Sequence, residues 1–587
     1  MKIKTAWNLK LLYQSDNDPQ IEKDMVKIER VCLDFEQKYR GEPFTASPEA
    51  LAKVLREIEK LDRAVDGRKP WWYFTLKTHL NSEDTRSAAK ATKYAQRITQ
   101  ASNRIKFFGL AVAKIPTADQ QKFLTHPALK PYIYGLTKIF NNAKFLLSEG
   151  EEQLSDLLSQ TSYTMWVDLQ ERLLNQQTIK HRGVNIPIVK ALGQLADLPK
   201  QEREAIYPKI VLALKSISYL AEGELNAVYN YKKLMDERRG FEKPYSATIL
   251  SYENDERSIE NFVSLISKHF KIAHQFYALH AKLLGQKKLT LADRNVNIGK
   301  IKTKFDFPTS VSILRSIFDK MDKEYLALFD KFLADGQIDV YPKKGKHGGA
   351  YCWGMLELPT FLLLNHVNDV RSLETLAHEF GHAIHTELSK RQPPRYQGYS
   401  TATAEVASAF FEQLVSAEIE SYLSAKEKII LLHNKIMGDI STIFRQIACF
   451  NFELELHKQI REKGQVGKEE IASLMLKHLK SYLGPVVTLN PNDGYFFVYW
   501  SHIRKFFYVY TYAYGQIISR ALYEKWQKNP KYATEIKKFL SAGGSMSPED
   551  IFKSIGIDTS KPSFFEAGLR GVERDIERLQ KLYSKHV

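Results

Sequence analysis

Apolar residues recur at three- and four-residue steps along most of this chain, the spacing of one buried face on a helix. Residues 1 to about 190 read as helical throughout. Ser87 to Ala113 is rich in Ala, Lys, Gln, Arg and Ile, with no Pro and no Gly before Gly109, and so favours a helix. Ser47-Pro48-Glu49-Ala50 is a helix start, with Ser at the cap and Pro in the first turn. Pro187 and Pro199 punctuate the passage to a second helical stretch with apolar positions at Ile210, Ala213, Leu214, Ile217 and Leu220. Gly240 to Pro244 breaks it before helices near 256–286. No repeat of fixed period is present, which excludes a solenoid.

The texture changes near 336. Ile338-Asp339-Val340-Tyr341-Pro342 is short and strand-like, and Thr360-Phe361-Leu362-Leu363-Leu364 is a second strand candidate. Between them, Gly345 to Gly354 holds four glycines in ten residues, which permits unusual backbone angles and close approach. A small sheet whose edge pairs with an extended peptide and an ordinary hairpin with a Gly-rich loop both fit this pattern. Val370, Leu373, Ala377, Phe380, Ile384 and Leu388 then mark one face of a helix from Asn368 or Asp369 to about Lys390. Gly381 inside it costs about 1 kcal/mol relative to Ala, which close packing against its bare backbone explains. Arg391 to Pro394 ends this helix, and a second spans about 402–423.

Tyr495 to Gly515 is the densest aromatic stretch. Such density is usual for core, but tyrosine hydroxyls beside His502 and Arg504 also suit a peptide channel. Ser547-Pro548-Glu549-Asp550 starts a further helix, and a charged helix with an apolar stripe covers about 562–583. The breaks divide the chain into an N-terminal helical lobe, 1–190; a helical segment, 191–335; and a lobe carrying the candidate chemistry, 336–587.

Composition narrows the classes. The 587 residues are 44% hydrophobic and 26% charged, ordinary for a globular chain and too apolar for disorder. The formal charge is +17, but lysines alternate with acids, as in Ile21-Glu22-Lys23-Asp24-Met25-Val26-Lys27. That is the pattern of solvated helix faces, so no nucleic-acid partner is expected. No run reaches the ~18 apolar residues of a membrane helix. Met1 to Trp7 lacks the apolar core of a signal peptide. Cys32, Cys352 and Cys449 are too scattered for a disulfide framework or thiolate cluster. A cytoplasmic protein is expected, and no phosphate-loop signature points to ATP.

The candidate chemistry is His378-Glu379-Phe380-Gly381-His382. Four residues apart on a helix, His378 and His382 aim both imidazoles at one point, and Glu379 stands beside it as a general base. With 16 histidines in the chain, chance produces such a match on the order of a few per cent of the time. A helix satisfies part of the context; a third ligand is needed. Glu405, near the start of the next helix, is favoured over another Glu or His. His385 competes but lies a further turn along. Glu412, seven residues past Glu405 and on its face, either hydrogen-bonds a ligand or faces solvent.

Together these motifs resemble the zinc oligopeptidases related to thimet oligopeptidase, and within them the oligoendopeptidase F branch. His378 to His385 is similar to that family's His-Glu-x-Gly-His-x-x-His, and Ala404-Glu405-Val406-Ala407-Ser408 to its third-ligand segment. Gly345, Lys346, Gly349, Ala350, Tyr351, Trp353 and Gly354 match its Gly-rich segment, and Phe507 to Gly515 its tyrosine segment. Trp7-Asn8-Leu9 with Leu12-Tyr13 resembles the opening of the F branch. The resemblance implies a mainly α fold, two helical lobes around a deep substrate channel, with a small β-sheet next to the zinc site. It implies one Zn²⁺ per chain on His378, His382 and Glu405, with Glu379 as general base. His502 and Tyr510, with Tyr508 next, are implied to contact the scissile peptide. Gly349, Ala350 and Tyr351 are implied to hold the substrate backbone. The implied reaction is hydrolysis of internal bonds in short peptides. A dipeptidyl carboxypeptidase type and a non-catalytic zinc-stabilised peptide-binding protein are the alternatives. Two departures, Asn365-His366-Val367-Asn368 before the metal helix and Phe411 after the third ligand, bear on substrate preference rather than on the ligands.

Overall fold

The structure is a computed structural model that describes residues 3–65 and 68–586; Met1 and Lys2, part of the stretch read for a signal peptide, lie outside it. The fold is mainly α with small sheets, as expected. Helices begin where their caps are written. Ser47 Oγ accepts from the Ala50 N–H at 3.2 Å to start Pro48–Val65. Ser547 does the same for Asp550 to start Pro548–Ser554. Two readings need correction. The region from Ser87 is two helices, Thr85–Asn103 and Lys106–Ala113. The expectation of helix throughout 1–190 fails at an antiparallel hairpin, Thr178–His181 with Val184–Pro187. Arg182 (φ 48°) and Gly183 (φ 80°) form its two-residue turn, and left-handed angles at both positions match the twist of paired strands.

The chain divides into two compact units, each assembled from separated stretches of sequence. The first comprises the chain up to Lys144, then Thr303–Ser421 and Leu522–Gly556. The second comprises Phe145–Lys302, Tyr422–Ala521 and the chain from Ile557 onward. This division does not follow the consecutive segments 1–190, 191–335 and 336–587. The Pro and Gly signals used for those mark where helices stop, and a helix end is not a unit boundary.

In the first unit, Phe361 and Leu363 join a core built by N-terminal residues including Trp7, Leu51, Leu55, Trp72 and Phe74. Phe361–Leu363 is the middle of a three-stranded sheet. Ile338–Asp339 pairs with it in parallel, and Tyr351–Trp353 in antiparallel register, Cys352 opposite Leu362. Tyr351–Trp353 is therefore an edge strand. The approach to it is anchored by Lys346, whose buried ammonium lies 2.6 Å from Asp339 and donates to the Tyr341 carbonyl at 2.8 Å. Asp339 also accepts from the Trp7 backbone N–H, which ties the Gly-rich segment to the start of the chain. Among the described residues, no helix is long and apolar enough to cross a membrane.

Candidate metal centre

Two helices of the first unit build the site. Val370–Ser389 carries the His-x-x-x-His pair, and its Asp369 cap accepts from the Ser372 N–H. Thr401–Ile419 carries Glu405, and its Ser400 cap accepts from the Ala402 N–H. Their close packing depends on Gly381. A Cβ there would stand 2.9 Å from both Ser408 Cα and Phe411 Cδ2, and 3.2 Å from the Ala407 carbonyl oxygen. Backbone against backbone at this level brings the second helix near enough for a short carboxylate to reach the imidazoles. Phe411 has its own role at this crossing, with its ring packed edge-on to Phe318 and Tyr325.

One ligand atom each from His378, His382 and Glu405 lie within 4.8 Å of one another. His378 Nε2 is 3.9 Å from a Glu405 oxygen, while its Nδ1 is 3.2 Å from Glu412. Glu412 thus fixes the ring so that Nε2 points toward Glu405, the outer support that metal-binding histidines commonly have. Sequence alone left Glu412 open between this role and solvent; the seven-residue spacing from Glu405 was the available signal. His385 is not part of the cluster. It is buried, stacked on Tyr399 at 3.6 Å and set against Phe539, and it serves packing.

Burial is the largest electrostatic influence on each group of the cluster. Burial raises the Glu379 carboxyl to about 7, against the pull of His378 and with repulsion from Glu405. Burial likewise raises Glu405. Burial, then His378 and His385, push His382 well below the ordinary histidine value. For His378, burial acts downward, but Glu412 together with Glu379 and Glu405 hold it up at about 8. Glu412, Glu379 and Glu405 together raise the proton affinity of His378, so the pocket draws positive charge. A divalent cation supplies that charge, and two imidazoles with one carboxylate form the donor set of an open hydrolytic zinc site. The residues fit such an ion.

The remaining expected residues fall as follows. Gly349 and Ala350 lead into the edge strand, and Tyr351 opens it. Asn365 Nδ2 donates to the Gly349 carbonyl at 2.9 Å, and the Tyr351 hydroxyl meets His79 Nδ1 at 2.5 Å. The backbone amide of Cys352, next in the strand, bonds to Glu379 and offsets part of its rise. The sheet therefore touches the candidate base directly.

His502, Tyr508 and Tyr510 belong to the second unit. The Tyr508 hydroxyl is 2.6 Å from His502 Nδ1, and Tyr512, which sequence reasoning passed over, donates to Tyr508 at 3.4 Å. Burial, then Arg445 and Lys505, push His502 down to about 4, so its ring is neutral near pH 7. Tyr510 is different. It is fully buried, and its hydroxyl donates to Asn254 at 2.8 Å. The hydroxyl beside His502 is that of Tyr508 rather than Tyr510. The run Tyr-x-Tyr-x-Tyr offers three rings at two-residue steps, and only the start of a helix at Tyr510 decides which one turns inward.

Comparison with known proteins identifies the family. The family model for peptidase family M3 matches residues 203–571, and that for oligopeptidase F matches 112–176. Oligopeptidase PepF of Bacillus subtilis is 25% identical, over 100% of this chain and 88% of its own. An oligoendopeptidase F homologue of Borreliella burgdorferi is 25% identical over 98% of each chain. The crystal structure of oligoendopeptidase F from Enterococcus faecium shares the fold, with a TM-score of 0.71 at 17% identity over 96% of this chain and 99% of that one. Since the first model covers more than half the chain, and the histidine and glutamate cluster lies inside the match, the protein belongs to peptidase family M3 and is a metallopeptidase.

Proposed function

We propose that the protein is a zinc-dependent endopeptidase of short oligopeptides. The observation that carries this is the approach of one ligand atom each from His378, His382 and Glu405 to within 4.8 Å of one another, with Glu379 on the same helix as the two histidines. His378, His382 and Glu405 would hold zinc, which would supply Lewis acidity toward the scissile carbonyl and lower the pKa of water toward ~7. Glu379 accepts a proton from the attacking water and delivers it to the nitrogen of the broken C–N bond. Burial raises the proton affinity of this carboxyl, which suits a general base. Glu412 holds His378 in the ligating orientation.

His502 and Tyr508 are assigned to the developing oxyanion. With Tyr508 donating to Nδ1, the neutral ring carries its proton on Nε2 and offers that N–H. Gly349, Ala350 and Tyr351 are assigned to the substrate backbone, gripped by strand addition at the sheet edge. Such a grip reads main chain rather than side chains and suits varied short peptides.

The test is Glu379→Gln, with bound metal and turnover measured on the same preparation. Metal content is expected to stay at the wild-type level while kcat falls by about a hundredfold or more. Wild-type cleavage of a quenched peptide by this variant would sink the assignment. A ten-residue peptide blocked at both ends should be cut internally. If only unblocked peptides are processed, the enzyme is an exopeptidase.

A further inference from the structure

Helix Gln446–Lys463 lies in the second unit. It places Cys449, Glu453 and His457 at four-residue steps, one face, all three buried. That face meets the turn that links His502 to Tyr508. His457 stacks on Tyr229 at 3.9 Å and lies 5.0 Å from the Phe507 ring. Glu453 makes the polar contact: the Phe507 backbone N–H donates to its Oε2 at 2.6 Å.

The turn needs holding. Phe506 and Phe507 both sit in the left-handed region, at φ 47° and 64°. For a bulky L-residue this costs on the order of 1–2 kcal/mol each. Other ties fix the turn at its earlier positions. The Ile503 and Arg504 carbonyls accept from the Tyr229 and Tyr163 hydroxyls, and the Phe506 carbonyl from Thr248. The Arg504 guanidinium grips both oxygens of Glu224 at 2.9 Å. Glu453 is the tie on the residue immediately before Tyr508. Without it, the ring packing of Phe507 on Phe450 and His457 is left to oppose the cost of the left-handed angle.

The geometry points to Glu453 as a positioning residue that sets the Tyr508 hydroxyl on His502 by holding Phe507 in its left-handed conformation. Burial raises this carboxyl to about 8, so at neutral pH it is an uncharged acceptor. An amide of the same shape can therefore replace it. The inference rests on the assignment of His502 and Tyr508 to turnover.

The experiment is steady-state kinetics on Glu453→Gln, Glu453→Met, Tyr508→Phe and the Glu453→Met/Tyr508→Phe double variant, with bound metal measured on each. Glu453→Met keeps the volume but removes the acceptor. It is expected to lower kcat by about tenfold or more, with KM within about twofold and metal unchanged. Glu453→Gln is expected to stay within about twofold of wild type in kcat, because it keeps the bond. Added to Tyr508→Phe, Glu453→Met is expected to cost little more, because the pair is already broken. Wild-type kcat in Glu453→Met, an equal loss in Glu453→Gln, or the same loss in both backgrounds overturns the inference. Should Glu453→Met not fold, Thr248→Val removes the adjacent tie on Phe506 and is expected to lower kcat at unchanged KM; wild-type kcat there overturns it equally. Failure of the underlying assignment is read separately: Tyr508→Phe and His502→Ala would then each keep wild-type kcat before any change at Glu453.

Discussion

Gly381→Ala tests whether helix contact at the metal centre is as tight as its backbone implies. On an open helix face this substitution gains about 1 kcal/mol from propensity. Here the new methyl would stand 2.9 Å from Ser408 Cα and Phe411 Cδ2, about half an ångström inside ordinary contact. The Phe411 ring can rotate; Ser408 Cα is backbone and cannot move without its helix. Overpacking of this kind costs typically about 1–3 kcal/mol, so the gain is cancelled or exceeded. The larger effect is expected at the ligands. Glu405 lies one turn from Ser408 on the same helix, and metal sites tolerate only about 0.2 Å of ligand displacement. Separating the helices by a few tenths of an ångström should weaken metal binding by about tenfold or more while helical content is kept. Competition with a chromophoric chelator gives the affinity, and thermal melting of the metal-free chain gives the stability. A variant that is about 1 kcal/mol more stable with unchanged metal affinity would refute the reasoning.

Other expectations follow from single contacts. Glu412→Ala removes the partner of His378 Nδ1 and should weaken metal binding by about 10–100-fold, read by the same competition assay, with no loss of helical content. Glu224→Ala strands the buried Arg504 guanidinium; it should cost about 3–5 kcal/mol and lower the melting temperature by several degrees. His433 is held down to about 3 by burial and by His280. Its folded pKa lies below the unfolded value near 6.5, so its contribution to stability is full above pH 6.5 and drains as pH falls toward 3. Wild type should therefore lose stability more steeply between pH 6.5 and 5 than His433→Gln, by up to about 2 kcal/mol; parallel curves would remove the argument.

Much of this was legible in the chain because its signals are local. The apolar face from Val370 to Leu388 and the Asp369 cap define the metal helix within a residue or two. The Gly381 signal was also correct in kind: a helix glycine with no turn to make marks close approach. What sequence could not carry is distance between segments. Glu405 and Glu412 are the same residue type and share a face, and only the helix crossing separates the one beside Nε2 from the one beside Nδ1. Tyr508 and Tyr510 differ by the residue at which extended turn becomes helix. The hairpin at Thr178 was hidden because its strands are four residues each and mostly exposed, too brief for the alternation in Val184-Asn185-Ile186 to stand out. The unit boundaries were hidden because the same helical texture runs through both.

The scattered make-up of the first unit also sets an order of events during synthesis. Helix Val370–Ser389 packs against Ala533–Ser541, with His385 against Phe539. More than a hundred residues separate the end of Thr401–Ile419 from that partner, and all of the intervening segment from Tyr422 to Ala521 belongs to the other unit. At ~5–20 residues per second, the metal helix waits on the order of ten seconds for its covering. The helix pair of the candidate metal centre therefore leaves the ribosome well before this apolar neighbour is made, and one face of Val370–Ser389 stays uncovered in the interval.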